Sequence, residues 1–237
     1  MNNYRQSGFT LVEIAIVLVI VGLLLGGILK GQELINSARV RNIADQNSAV
    51  QAAYYGFIDR YRQVPGDMRQ TDAQAAIGGT INAGGDGNGR IGGGTTADWV
   101  EASAAWEHLS KAGYMTGNYQ GGGTSAETYQ APDVAPVNAF NGYVLISRLP
   151  AADYAGVGSE RLGYVFGNQI PVNIMRELDV KLDDARPETG VVRAAADSGT
   201  AYDAVNAADA ACVDDTPDPS IWDINTNSQD CNGVYLY

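Results

Sequence analysis

The sequence predicts an α+β chain built on one long N-terminal helix, and three observations carry that expectation. Phe9 to Leu29 is a 21-residue apolar run broken by a single ionisable residue, Glu13. A helix of that length spans a bilayer core of about 30 Å. No proline follows until Pro65. Beyond Lys30, the residues Ile43, Val50, Ala53, Tyr54, Phe57, Ile58 and Tyr61 recur at three- and four-residue spacing, which is one apolar stripe on an amphipathic helix. The pattern gives one helix of about 50 residues and about 75 Å, apolar all round in its first half and amphipathic in its second.

The segment before this helix, Met1 to Gly8, is polar and carries Arg5. A cleaved secretory signal fits poorly, because its apolar region is about 7–15 residues and ends at a small-residue site. A plain signal anchor leaves Glu13 without a reason, and an intramembrane carboxylate marks a functional site by default. Gly22, Gly26, Gly27 and Gly31 weaken the helix by roughly 1 kcal/mol each relative to alanine, or mark close helix contacts in a membrane.

The residues Gly8, Phe9, Thr10, Leu11, Val12 and Glu13, after a short leader with Arg5 and before an apolar run with Gly22, resemble the N-terminus of type IV prepilins and type II secretion pseudopilins. The resemblance covers about the first 60 residues. It implies a pilin-like fold: the long helix, membrane half plus amphipathic half, packed on a small antiparallel sheet with large loop-rich insertions. It implies a leader peptide at 1–8, a transmembrane and assembly half at 9–29, an amphipathic half at 30–63 and a globular pilin-like domain at 64–237. It also implies cleavage by prepilin peptidase between Gly8 and Phe9, N-methylation of the Phe9 amine, and assembly of the helices into a filament core. The partners so implied are further copies of the chain, the peptidase, a pilus or secretion assembly machinery, and the inner membrane before assembly. The localisation implied is a single-pass bacterial inner-membrane protein with a periplasmic C-terminal domain, then a cell-surface filament.

The residues agree with that reading. Glycine before the cut gives an enzyme access to the backbone. Glu13 of one subunit can neutralise the Phe9 amine of a neighbour, and an unpaired buried charge costs several kcal/mol. The alternative is pairing with the amine of its own chain. Many family members carry proline where this chain has Lys30, so any bend here relies on the glycines. Lys30, Arg39 and Arg41 follow the span, which by the positive-inside rule weakly favours a cytoplasmic C-terminal side. The cysteine pair and the resemblance place that side outside.

Downstream, Pro65-Gly66-Asp67 reads as a turn that ends the helix. Gly78 to Gly94 is glycine-rich and lacks GxxxxGK[ST], so it is no phosphate loop of the known kind. Asp86 and Asn88 look like the start of a calcium loop without its closing acid. A plain flexible loop is the simpler reading, and calcium is the only cofactor left open. Asp98 to Gly113 reads as a helix, with Asp98 and Glu101 as a capping box and Gly113 as the stop. Its apolar face is Trp99, Ala102, Trp106 and Leu109, and His108 is expected to face solvent. Tyr143–Leu149, Leu162–Phe166 and Gly190–Arg193 read as strands. Pro171–Asp184 reads as a helix with Val172, Met175, Leu178 and Leu182 inside. The tail is expected to be loop-rich. The segments GDGNGRI, AWEHLSKAGY and KLDDARPETGVVRA are also similar, more loosely, to those of large pilin-like proteins.

Net charge is −12, so the electrostatic footprint of a nucleic-acid binder is absent. From Ala194 onward there are eight aspartates and no Lys or Arg. That is a solvated acidic surface or, alternatively, a calcium or partner surface. Cys212 and Cys231 suit a disulfide in an oxidising compartment, closing a loop of about 20 residues worth roughly 3 kcal/mol. Free thiols in a reducing compartment are the alternative. A metal site at these cysteines is less favoured still, since His108 is the only histidine and there is no CxxC. With no nucleophile elbow, zinc signature or catalytic histidine motif, Asp183–Asp184 reads as surface and an enzyme is not expected. The expected role is a structural filament subunit, with a type II secretion pseudopilin or a minor, tip-adhesin subunit as alternatives.

Overall fold

The computed structural model describes residues 10–92, 99–196, 202, 205, 210–216 and 219–237. The chain divides into two compact units between Arg39 and Val40. Helix α1 spans Leu11–Tyr61 without a break, as the absence of proline predicts. In the first unit its side chains from Leu11 to Leu29 are exposed, Leu11 by 90 %. A Cβ at Gly22, Gly26, Gly27 or Gly31 would meet nothing within 4 Å.

In the second unit, α1 buries Val40, Ile43, Ala44, Asn47, Val50, Ala53, Tyr54 and Phe57, which is the expected stripe extended toward the N-terminus. Ile58 and Tyr61 pack at its margin. The helix ends at Arg62 with φ of 56°, before the Pro65-Gly66-Asp67 turn. Gly66 has φ of +88°, and a Cβ there would lie 2.4 Å from the Glu101 carbonyl oxygen. Only glycine fits that left-handed, crowded position.

Helix α2 (Gln70–Ile77) follows. The sequence gives it little periodic signal, since it buries only Ala73. Helix α3 (Trp99–Lys111) buries the four predicted apolar residues and also Glu101, Ser103, Glu107 and His108. The predicted solvent-facing His108 is therefore corrected: it is 0 % exposed. Helix α3 is buried on most of its surface, so a residue off the apolar face still has protein around it. Asp98 and the capping box it would form lie outside the described residues. The short helix α4 (Ala126–Tyr129) is capped by Ser125. Trp106 Nε1 donates to the Tyr129 hydroxyl at 2.7 Å, which donates to the Val144 carbonyl at 2.8 Å. These bonds tie α3 and α4 to the first strand.

The main sheet is antiparallel, in the order β1 (Leu145–Leu149), β2 (Arg161–Val165), β6 (Gly233–Leu236), β3 (Val192–Ala194). Helix α5 (Val172–Leu182) connects β2 toward β3. A two-stranded hairpin, β4 (Val213–Asp214) with β5 (Ile221–Trp222), completes the chain order. The strands at 145, 161 and 192 start within two residues of expectation. The tail is not merely loop: β6 sits between β2 and β3, with Val234 and Leu236 in the core. The whole is the α+β, pilin-like arrangement of a long N-terminal helix with a small antiparallel sheet.

Candidate functional site

The N-terminal junction is the first candidate. Gly8 and Phe9, the predicted cleavage and methylation residues, lie outside the described residues, as does Arg5. Thr10 and Glu13 are described. Glu13 Oε2 accepts from the Thr10 backbone N–H at 2.8 Å and the Thr10 hydroxyl at 2.9 Å, and Thr10 Oγ1 accepts the Glu13 N–H at 3.2 Å. This is a capping box, which satisfies two otherwise orphaned donors at the start of a helix. The signal was in the sequence as Thr-x-x-Glu before an apolar run. Glu13 thus has a local role at the head of α1 besides the charge it carries. Among the described residues, α1 is long and apolar enough to cross a membrane.

The glycine-rich loop is the second. The expectation of a plain loop is corrected: Ile81, Ala83 and Ile91 are buried, and four side chains grip its backbone. Asp67 Oδ1 accepts from Gly87 N–H at 2.9 Å and Asn88 N–H at 2.8 Å, and its Oδ2 from Gly89 N–H at 2.8 Å. Glu101 accepts from Asp86 N–H at 3.1 Å and Gly92 N–H at 2.7 Å. Glu107 accepts from Asn82 N–H at 2.9 Å and Ala83 N–H at 3.0 Å. Burial raises the Glu107 pKa and those N–H bonds oppose the rise. His108 Nδ1 accepts from Gly66 N–H at 3.0 Å, so Nε2, 3.1 Å from the Ala83 carbonyl, carries the proton. Burial pushes its pKa down to about 4.

Carboxylate oxygens of Asp67, Asp86 and Glu101 lie within 4.8 Å of one another. Asp67, from the turn after α1, and Glu101, from α3, are thus brought beside Asp86. The Asp67 and Glu101 oxygens already accept amide protons, and Asn88 bonds to exposed Asp86 hold its pKa below the ordinary value. Hydrogen bonds of this kind hold a loop without an ion. Sequence reasoning missed Asp67, Glu101 and Glu107 because each acts on backbone far along the chain.

The tail is the third. Cys212 and Cys231 form a disulfide. Ile170 and Cys231 exchange backbone bonds, so the disulfide anchors the β4–β5 hairpin beside the end of β2. Trp222 Nε1 donates to buried Asp179 Oδ2 of α5 at 2.7 Å, and burial pushes the Asp179 pKa up to about 7. Asp183 and Asp184 are more than surface: Asp183 accepts from the Val191 and Val192 N–H groups, and Asp184 from Arg186 N–H and the Thr189 hydroxyl. Of the eight tail acids, Asp214, Asp215, Asp223 and Asp230 are described, and Asp197, Asp203, Asp209 and Asp218 lie outside the described residues.

No curated protein and no solved structure matches this chain. Residues 3–29 match the family model described as the Prokaryotic N-terminal methylation motif. They therefore carry the type IV prepilin-type signature, at the same junction where Thr10 and Glu13 begin the helix.

Proposed function

We propose that the chain is a structural subunit of a type IV pilus or pilus-like filament. Prepilin peptidase cuts between Gly8 and Phe9, the new Phe9 amine is N-methylated, and subunits polymerise through the apolar half of α1. One observation supports this above the others: the methylation motif heads a helix whose apolar side chains are exposed from Leu11 to Leu29. A surface of that extent calls for lipid before assembly and for neighbouring helices afterwards. Glu13 of one subunit neutralises the Phe9 amine of another, which sets the register between helices. The globular domain is periplasmic before assembly, and Cys212–Cys231 suits that compartment.

The capping box shapes the test. Glu13→Ala removes both the charge and the carboxylate half of the capping box, so its failure to assemble is ambiguous. Glu13→Gln keeps an N3 acceptor for the cap and removes only the charge. Mass spectrometry of wild-type membranes is expected to find a mature chain beginning at N-methyl-Phe9. Sheared-filament yield from Glu13→Gln is expected to fall at least roughly tenfold. An intact Met1 would sink the processing step, and wild-type filament yield from Glu13→Gln would sink the charge pairing.

A further inference from the structure

We propose that the segment Val157–Arg161 docks the acidic β4–β5 hairpin of a second copy of this chain. The proposal rests on the filament reading above and names a contact between globular domains within it.

The chain has 15 basic and 27 acidic residues, yet positive charge collects around this one segment. Arg148 Nε donates to Glu160 Oε1 at 2.6 Å, and Arg90 Nη1 lies 3.7 Å from the same oxygen. Arg193 Nη1 donates to the Val157 carbonyl at 2.7 Å. Arg161, exposed, opens β2. Two guanidinium groups thus share the Glu160 carboxylate, a third is held on the Val157 carbonyl, and the fourth, that of Arg161, belongs to the segment itself. At the tip stands Val157, 95 % exposed. A lone exposed valine is ordinary, but here it is an apolar centre with a basic surround.

The hairpin has the complementary make-up. It carries Asp214 and Asp215, with Asp223 just beyond it, and it exposes Ile221 and Ile224. Arg176, Arg186 and Asp184 line the groove beside Ile221, Trp222 and Ile224, while Asp214 belongs to the other strand and Asp215 follows it.

The two patches sit at opposite ends of one strand. Arg161 opens β2, whereas Ile170, beyond its last residue Val165, pairs with Cys231, whose disulfide partner Cys212 leads into the hairpin. They do not meet within a subunit. A copy displaced along the strand direction brings one patch onto the other, a head-to-tail contact that propagates rather than closes. In a chain of net charge −12, this pairing sets opposite charges together where other juxtapositions repel.

The test uses the full chain expressed with its assembly machinery. Arg161→Glu and Asp215→Arg are each expected to lower sheared-filament yield roughly tenfold, and the double variant to restore it. A photo-crosslinking amino acid in place of Val157 gives a readout independent of yield: illuminated filaments are expected to contain covalent dimers joined to a peptide spanning residues 213–224. Wild-type yield from both single variants, a double variant as defective as the singles, or crosslinks to another region or another protein would each overturn the contact. If the wild-type chain forms no filament after leader removal, the filament reading itself fails, which is a separate result.

Discussion

The first half of α1 and the loop 81–92 invert the usual rule of burial in opposite ways. From Leu11 to Leu29 the side chains are apolar and exposed. Around the loop, Asp67, Glu101, Glu107 and His108 are polar and buried. Each inversion has a different remedy. Exposed apolar surface is relieved only by something outside the chain, a lipid or another helix. Buried polar groups are relieved from within, by the N–H groups of a glycine-rich backbone that is free of bulky side chains. One region is therefore unfinished without partners, and the other is complete in the subunit.

If the loop is held from within, removing a clamp has a large cost. Asp67→Ala leaves the Gly89 N–H without its acceptor and takes one of two acceptors from Gly87 and Asn88, which keep the residue 67 carbonyl and Asp86 Oδ1. The expected loss is about 3–5 kcal/mol, read as a lower denaturant midpoint of the detergent-solubilised chain and as protease cleavage within 84–92. Asp67→Asn, which keeps one acceptor oxygen, is expected to lose less. A loss below about 1 kcal/mol for Asp67→Ala would mean the loop holds itself.

The comparison also explains what was legible in the sequence. The prepilin-type signature and the long helix were legible, because their information is local: a motif, an apolar run, the absence of proline, a 3.6-residue period. The capping box between Thr10 and Glu13 was legible by the same logic and went unread. The clamps were not legible. Asp67 acts twenty residues away on Gly87, and Glu107 acts back across twenty-four residues on Ala83. No local pattern distinguishes these acids from surface ones. Strand β6 hid for a related reason: Val234 to Leu236 is short, and its partners Gly163 to Val165 lie about seventy residues upstream. His108 shows the error most plainly, since a helical wheel of α3 says nothing about what packs on its other faces.

A smaller and pH-dependent effect separates His108 from the carboxylate clamps. In the unfolded chain the imidazole takes up a proton below about pH 6.5, whereas in the folded chain it resists until about pH 4. The unfolded state then binds more protons, so stability from this group is complete above about 6.5 and is lost as pH falls toward 4, by about 3 kcal/mol over the window. Protonated Nδ1 would also face the Gly66 N–H. Asp179 acts with the opposite sign. Its folded pKa is raised to about 7, so its contribution is present at low pH and fades as pH rises toward 7. The measurement therefore belongs in an Asp179→Asn background, where His108→Gln is expected to flatten the fall in unfolding midpoint between pH 7 and pH 4. An unchanged slope would assign the acid sensitivity elsewhere.

The smallest effect is expected where the apolar side chains are most numerous. Leu18 is exposed and lies in the first unit, whereas the core of the second begins at Val40. In Leu18→Ala the unfolding free energy of the second unit, followed by tryptophan fluorescence, is expected to change by less than about 0.5 kcal/mol. All three tryptophans, Trp99, Trp106 and Trp222, are buried within it. The same substitution of a buried leucine in a core costs about 2–5 kcal/mol. Exposed apolar surface of this kind is suited to lipid or to a neighbouring helix. Filament yield should then fall in Leu18→Ala while the fluorescence midpoint stays fixed, and a shift of the midpoint itself would show that the apolar half of α1 is part of the subunit's own core.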